Sequence, residues 1–317
     1  YEIRLSLVGS EMCIRDRDRR ILKVMDLASK AVKTLSEDKV TNYRTGGYDV
    51  AWSPDSRWLT LEIMNPMHDP YGDIAMVDVE TGEFISLTNT GYFDERPRFT
   101  ADGNAVVFAS ERYGMRNHAS WGSEYDVMMV FLNKEAYDKY RLSEEDFALL
   151  KEVEDQQKKA AKKTDGKKGS SKKGKASKDD VKKDEEKTPA VKIDREGIQE
   201  RIVRLTPNSS DLSDFAISKD GSDLYYLSAF EQGYDLWKRD LRKGDVSLVK
   251  KLDSDGSRIQ ADSDGNLWLT GSTVKKFNPK SKETKNVSLR GKVKIDPALE
   301  REAMLDYVAN EARERFY

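Results

Sequence analysis

The sequence is short of cysteine, histidine and long apolar runs, since its 317 residues include one cysteine and two histidines. A single cysteine excludes a framework of intrachain disulfide bonds. No stretch approaches the roughly 18 consecutive apolar residues of a transmembrane helix, so we expect no membrane span. A basic excess is lacking too, because 55 Lys+Arg stand against 57 Asp+Glu. Nucleic-acid-binding domains are normally basic, so we expect no nucleic-acid partner. The length suits about two ordinary domains or one large repeat domain.

The first 17 residues do not look like part of a fold. They show no amphipathic period, and they lack the charged start, apolar centre and small-residue cleavage site of a signal peptide. The stretch from Leu7 to Asp16 reads as one frame of a common transposase-library sequencing adapter. We therefore interpret residues 1–17 as an adapter-derived scar and leave them out of the fold prediction. The native N-terminus, with any export signal, would then be missing.

A repeat of about 46 residues organises the rest of the chain. Each unit has a short apolar strand, an Asp-Gly or Asp-Ser turn, and a second strand rich in Val, Leu and aromatic residues. Gly takes the positive φ of such a hairpin without penalty, so we interpret the turn aspartates as hairpin formers. The four units occupy residues 48–63, 96–110, 214–228 and 258–270. Their turn aspartates are Asp55, Asp102, Asp220 and Asp264, separated by 47, 118 and 44 residues.

The long middle spacing indicates an insertion in the second unit. The strand at 125–131 has no partner directly after it, and a suitable partner appears only at 200–206. We predict that these two segments pair, so that residues 133–199 replace a short hairpin turn. Without those 67 residues the spacing of 118 becomes 51, which approximately restores the period.

Four short strands in each period of about 45 residues are typical of β-propeller blades. We predict an all-β partial propeller of about four and a half blades over residues 18–290, since 21–27 and 32–35 read as the closing hairpin of an earlier blade. An open β-sandwich also has short strands with frequent turns and is the alternative. The repeated order of strand, Asp-Gly, strand, polar turn and Leu-Thr favours the propeller.

The insert has a helical part and a lysine-rich part. Asn133 can cap a helix over 134–140, and Ser143 can open a second helix to about Gln157. Residues 158–192 carry 14 Lys against 6 Asp+Glu and no aromatic residue, so we expect disorder there. Beyond the blades, the pair Asp296-Pro297 predicts a helix over 297–316, which would begin a helical domain at 291–317.

Few residues suggest chemistry. His68 and His118 lie in loops without carboxylates at metal-ligand spacing, and there is no Gly-x-Ser-x-Gly elbow, so we predict no catalytic residue, metal or cofactor. Propeller loops face the central channel, where a guanidinium group can bind a carboxylate bidentately. The candidate substrate-binding residues are Arg96, Arg98, Arg112, Arg116 and His118. Surface ion pairing is the competing role for the arginines.

Several segments of the sequence resemble those of known protein families. The motif at 52–56 resembles those of TolB-type and tricorn-type propellers. Further segments resemble bacterial tricorn-like serine peptidases, namely residues 113–122, 142–147, 201–207, 220–230 and 300–317. The resemblance covers essentially all of 18–317, and the interrupted blade followed by a helix is its most specific part.

The resemblance implies a large, self-compartmentalising, homo-oligomeric peptidase whose propeller filters peptides or unfolded protein. The family's catalytic His and Ser would lie beyond Tyr317, so this chain would be inactive by itself. The family implies a cytoplasmic location, and the missing N-terminus leaves the periplasm open. A TolB-like protein-binding propeller and the propeller of a prolyl-oligopeptidase-type peptidase remain alternatives. Peptide specificity, the number of subunits and the total number of blades do not follow from the sequence.

Overall fold

A computed structural model describes most of the chain. The described residues are 7–8, 11–16, 21–37, 39–40, 49–68, 71–116, 123–165, 190–254, 256–262, 264–288, 291–292 and 294–315. Within them the strands form five antiparallel sheets of four strands each.

Each sheet follows the chain order, with every strand hydrogen-bonded to the next. Sheet 1 comprises β1 (Leu7–Val8), β2 (Glu11–Asp16), β3 (Ile21–Asp26) and β4 (Val32–Ser36). Sheet 2 comprises β5 (Ala51–Trp52), β6 (Trp58–Met64), β7 (Gly72–Asp78) and β8 (Phe84–Ser86). Sheet 3 comprises β9 (Asp94–Phe99), β10 (Ala105–Ser110), β11 (Asp126–Phe131) and β12 (Ile202–Arg204). Sheet 4 comprises β13 (Asp211–Ile217), β14 (Asp223–Ala229), β15 (Tyr234–Asp240) and β16 (Val246–Ser254). Sheet 5 comprises β17 (Arg258–Ala261), β18 (Leu267–Thr270), β19 (Val274–Phe277) and β20 (Thr284–Val287).

The hydrophobic core lies between successive sheets. One cluster joins Val24 of sheet 1 to Leu59 of sheet 2, and further clusters fill the next three junctions in the same way. Strands β10 and β11 are buried along their whole length, because a neighbouring sheet covers each face. Their continuous apolar sequences follow from this two-sided burial. Four-stranded sheets packed face to face are the β-propeller architecture, so the fold prediction is confirmed.

Sheet 3 has the interrupted hairpin that the repeat arithmetic predicts. In the ladder between β11 and β12, Met128 pairs with Arg204 and Val130 pairs with Ile202. The strands come together although the whole insert separates them in sequence.

Sheet 1 differs from the prediction. The closing hairpin of β3 and β4 is present, but β2 adds to the free edge of β3, with Glu11 opposite Asp26 and Asp16 opposite Ile21. An open strand edge offers unpaired backbone groups to any extended segment, whatever its sequence. The segment left out of the fold prediction therefore completes a four-stranded sheet. Its adapter origin stays a prediction.

The insert begins with two helices, α1 (Lys134–Arg141) and α2 (Glu144–Asp165). As predicted, Asn133 accepts from the Ala136 amide and Ser143 accepts from the Asp146 amide. The expected disorder of residues 158–192 stays a prediction, although both ends of this range lie in described segments. Residues 158–165 continue α2, and the Val191 amide donates to Asp55 Oδ2 of sheet 2 (2.8 Å). Residues 166–189 lie outside the described residues.

The C-terminal helix α3 (Pro297–Arg315) begins where the Asp296-Pro297 pair predicts, with Asp296 Oδ1 accepting from the Ala298 amide. Its described side chains are exposed, including Leu305 at 70%. None of the helices in the described part of the chain is long and apolar enough to cross a bilayer.

The two ends of the sheets differ in what they carry. Because neighbouring strands are antiparallel, the first-to-second hairpins share one end, while the second-to-third and sheet-to-sheet connections share the other. We call the second end the loop face. Its described residues are 65–68, 87–93, 111–116, 123–125, 205–210 and 230–233.

Candidate functional site

Three of the four turn aspartates, all except Asp264, close their own hairpins at the end opposite the loop face. Asp102 Oδ1 accepts from Thr100 Oγ1 (2.6 Å) and from the Asn104 amide (3.1 Å). Asp55 and Asp220 make the same two kinds of bond in sheets 2 and 4. In sheet 5 the acceptor is Asp262, which takes the Asp264 amide (3.0 Å). These carboxylates stabilise turns, as the sequence indicates, and no group of the described residues has the composition of a metal site.

The recurring Leu-Thr step also has a structural role. Thr88 Oγ1 donates to Asp73 Oδ1 (3.2 Å), and Thr206 Oγ1 donates to Asp126 Oδ1 (2.6 Å). Each aspartate lies at the start of the third strand of its sheet, so the threonine ties the fourth strand to the third at the loop face.

Arg98 is bound to the neighbouring sheets. Its Nη2 donates to both carboxylate oxygens of Asp214 (2.8 and 2.9 Å), and its Nη1 donates to the carbonyls of Phe215 and Ile259. The Asp214 side chain is fully buried. Arg98 therefore joins the first strands of sheets 3, 4 and 5.

Arg96 lies at a bulge in β9, with φ +57°. Its amide donates to Glu62 Oε1 (3.0 Å), and its guanidinium group donates to the Ser213 carbonyl. Desolvation and the nearby Glu95 carboxylate raise the pKa of Glu62 well above its usual value. The carboxyl group thus lies at the junction of sheets 2 and 3, where a charged form is poorly solvated.

One ion pair joins sheet 5 to the segment that precedes sheet 2. Arg258 Nη1 of sheet 5 lies 3.1 Å from Asp49 Oδ2, two residues before β5 of sheet 2. We call the polar groups near the starts of the first strands the axial network. Its members are Asp49, Glu62, Glu95, Arg96, Arg98, Asp214 and Arg258. The bonds of Arg96 and Arg98 to protein acceptors fit the competing, structural role better than substrate binding.

Arg112 and Arg116 are placed differently, on an exposed connection of the loop face. The guanidinium carbon of Arg112 lies 5.5 Å from the Tyr113 ring centroid, and that of Arg204 lies 5.1 Å from the same centroid. Arg116 stacks on Tyr92 at 4.8 Å. The described residues place no carboxylate within ion-pair distance of Arg112 or Arg116. His118 lies in 117–122, outside the described residues.

A tight turn presents these arginines. The Met115 amide donates to Glu124 Oε2 (3.2 Å), and the Glu124 amide donates to the Met115 carbonyl (2.9 Å). A Cβ at Gly114 would lie 2.1 Å from the Glu124 carbonyl oxygen, so the turn requires glycine. These two hydrogen bonds and the glycine therefore fix the backbone next to Arg116.

Large apolar side chains surround the arginines. Met67, Tyr113 and Met115 are 86%, 52% and 71% exposed. The loop of Met67 lies beside that of Tyr92, since a Cβ placed on Gly91 would be 3.8 Å from the His68 ring. We call this surface the loop-face patch. Its members are Met67, Tyr92, Arg112, Tyr113, Met115 and Arg116.

Two buried carboxylates support the patch from below. Asp73 and Asp94 are each 1% exposed. Thr90 bridges them, because its amide donates to Asp73 Oδ1 (3.0 Å) and its hydroxyl to Asp94 Oδ2 (2.9 Å). Burial raises the pKa of Asp94 to about 7. His68 Nδ1 lies 3.3 Å from Asp73 Oδ2, which is a structural contact of the loop.

Sequence reasoning missed several residues of this region. Tyr92 and Met67 lie in turn-rich loops, and only their position in a connection between strands could have pointed to them. Asp94 follows directly after Phe93, and a carboxylate at the start of a buried strand is the signal that could have found it.

The fold is shared with known propellers. The crystal structure of the tricorn protease superposes with a TM-score of 0.57 at 14% identity, over 88% of this chain and 25% of that one. TolB from Acinetobacter baumannii gives 0.52 at 14% identity, over 88% of this chain and 51% of that one. A puromycin-hydrolyzing peptidase of Mycobacterium tuberculosis gives 0.52 at 10% identity, over 90% of this chain and 38% of that one.

This chain is a β-propeller. The likenesses show no more than that, because at such identities a shared fold does not fix a function. The chain spans about half of the TolB chain it matches and a quarter of the tricorn chain. Known protein-family models give no match. Curated protein sequences give none either.

Proposed function

We propose that the chain is a non-catalytic, substrate-gating propeller segment of a larger tricorn-like serine peptidase, and that it captures peptides or unfolded protein. The observation that carries the proposal is the loop-face patch. It combines exposed tyrosine and methionine side chains with stacked arginines. Such a surface suits extended polypeptide, because methionine adapts to many shapes and arginine binds carboxylates and carbonyls.

The axial network supports the gating part of the proposal. The pair of Arg258 and Asp49 is exposed by 49% and 26%, and exposed pairs contribute about 0–1 kcal/mol, so it can open at low cost. The pair of Arg98 and Asp214 includes a fully buried carboxylate and holds the sheets together. The contact of Arg258 with Asp49 is thus the weaker of the two, and that of Arg98 with Asp214 is the stronger.

The test uses the full chain and one labelled protein in two states. Fluorescence anisotropy would follow the binding of a fluorescein-labelled protein that is either folded or reduced and carbamidomethylated. We expect saturable binding of the unfolded state and no cleavage of quenched peptide substrates. Cleavage would contradict the non-catalytic role. Binding of the folded state alone would favour a TolB-like scaffold, and no binding would refute the proposal.

A further inference from the structure

We infer that the loop-face patch selects extended peptides in which acidic side chains stand next to aromatic or aliphatic ones. The inference rests on the proposed function and adds the class of peptide. Its basis is a difference among arginines: those of the axial network bind protein acceptors, whereas the described residues offer Arg112 and Arg116 no carboxylate.

Four arginines on strands have protein acceptors. Arg96, Arg98 and Arg258 bind carbonyls or carboxylates of other sheets, and Arg204 pairs with Asp126 at 2.8 Å. Arg112 and Arg116 are exposed, and the described part of the chain offers neither a carboxylate partner. The patch therefore presents two guanidinium groups whose charge no described carboxylate neutralises.

Stacking gives these groups a direction. The guanidinium carbon lies over a tyrosine ring, 5.5 Å from its centroid for Arg112 and 4.8 Å for Arg116. A stacked guanidinium group keeps its N–H edge for a ligand, and that edge matches the two oxygens of a carboxylate. A carboxylate on the peptide is thus the complementary charge.

The described acidic residues of the region do not compete for this edge. Asp73, Asp94 and Glu111 are buried by at least 99%, and Asp73 and Asp94 already accept hydrogen bonds from Thr90. Glu124 accepts from the Met115 amide and holds the turn. The described carboxyl groups are thus buried or hydrogen-bonded, while the guanidinium groups of the patch are exposed.

The apolar members define the second half of the preference. Met67 and Met115 belong to the loops of the patch and are mostly exposed. Methionine fits varied apolar shapes, so a range of aromatic and aliphatic side chains would be accepted. An extended peptide alternates its side chains between two sides, so neighbouring acidic and apolar residues reach different members of the patch.

The experiment uses the full chain and two labelled 12-residue peptides that differ only in Glu against Gln, both with Phe and Leu at alternate positions. We expect the Glu peptide to bind about tenfold more tightly at low salt, the scale of one charge-assisted hydrogen bond. The double variant Arg112→Gln/Arg116→Gln should lose that preference. Arg141→Gln is the matched control, because Arg141 is also exposed and also stacks on a tyrosine, Tyr137, at 5.5 Å.

The outcomes separate the two claims. Equal binding of both peptides would overturn the inference and leave the proposed function standing. An equal loss in Arg141→Gln and in the double variant would also overturn it, since a general charge effect would then explain the preference. If neither peptide nor unfolded protein binds, the proposed function fails as well. Thermal unfolding of the variants should match the wild type, which shows that the patch is changed without the fold.

Discussion

The axial network and the loop-face patch use the same residue type in opposite ways. On β9, Arg98 is bound to Asp214 and to carbonyls of two other sheets. On the connection that follows β10, Arg112 and Arg116 stack on tyrosines and point to no described carboxylate. The difference teaches that a guanidinium group is available to a ligand only where the fold supplies no acceptors. For β9 the neighbouring sheets supply them, whereas for the connection after β10 the described residues supply no carboxylate.

The largest effect expected from this comparison is on stability. Arg98→Ala should lower the free energy of unfolding by about 3 kcal/mol, because it leaves the buried Asp214 carboxylate without its partner. Arg112→Ala should change it by at most about 0.5 kcal/mol, as surface substitutions usually do. Urea unfolding measures both. Similar losses in the two variants would erase the distinction between the regions.

The next effect tests the raised pKa of Asp94, the carboxyl group buried beneath the loop-face patch. The pKa of Asp94 is raised to about 7, so the fold binds this proton more tightly than the unfolded chain does, and stability should fall as pH rises from about 4 to 7 and level off above that. Asp94→Asn stays neutral, so its stability relative to the wild type should rise by about 3 kcal/mol between pH 5 and pH 8. Thermal unfolding across this range is the measurement. A difference that does not depend on pH would contradict the assigned cause.

A smaller effect is expected where the axial network is exposed. A double-mutant cycle of Asp49→Ala and Arg258→Ala should give a coupling of at most about 1 kcal/mol, because water screens the pair. The coupling should vanish at about 1 M salt, where the Debye length is roughly 3 Å. A coupling that resists salt would mean that this contact is as firm as that of Arg98 with Asp214, and it would weaken the case for a gate.

The smallest effect on stability is expected for the insert, which belongs to neither of the two regions. Replacing residues 143–189 by a short Gly/Ser linker should alter stability by about 0.5 kcal/mol or less, since closure entropy depends weakly on loop length. The retained returning segment stays anchored, because Arg201 donates to the Phe131 carbonyl (3.1 Å) and Arg195 pairs with Glu83.

The matched deletion of 134–199 keeps Arg201 but removes two other anchors, Arg195 and the buried Ile198. It should unfold at clearly lower urea concentration than the shorter deletion. Equal stability of the two variants would show that the anchors contribute nothing.

Local patterns predicted most of the sheets. The alternation of strands and the Asp-Gly turns act over a few residues, so their geometry is readable without the rest of the molecule. The missing fourth strand of sheet 3 could be placed by arithmetic, because the repeat fixes what each sheet must contain, and the pairing of Val130 with Ile202 confirms it. Helix α1 and its Asn133 cap were predictable for the same reason, since a cap depends only on neighbouring residues.

The candidate site could be predicted only in part. The loop of Arg112 and Arg116 was found because propeller connections are recognisable in the repeat. The partners of Arg98 were not, because Asp214 and Ile259 lie 116 and 161 residues away in sequence. The two strands of sheet 1 that lie within residues 1–17 were missed, because edge pairing depends on an open backbone and hardly on side chains.

The sequence by itself determined the repeat, the turns, the helix caps and the place of the insert, since each depends on the conformational preferences of neighbouring residues. The tertiary structure decided which arginines have acceptors, which carboxylates are buried, and which side chains from separate loops form one surface. The physical reason is that solvation and charge pairing depend on the groups that packing brings together from distant parts of the chain.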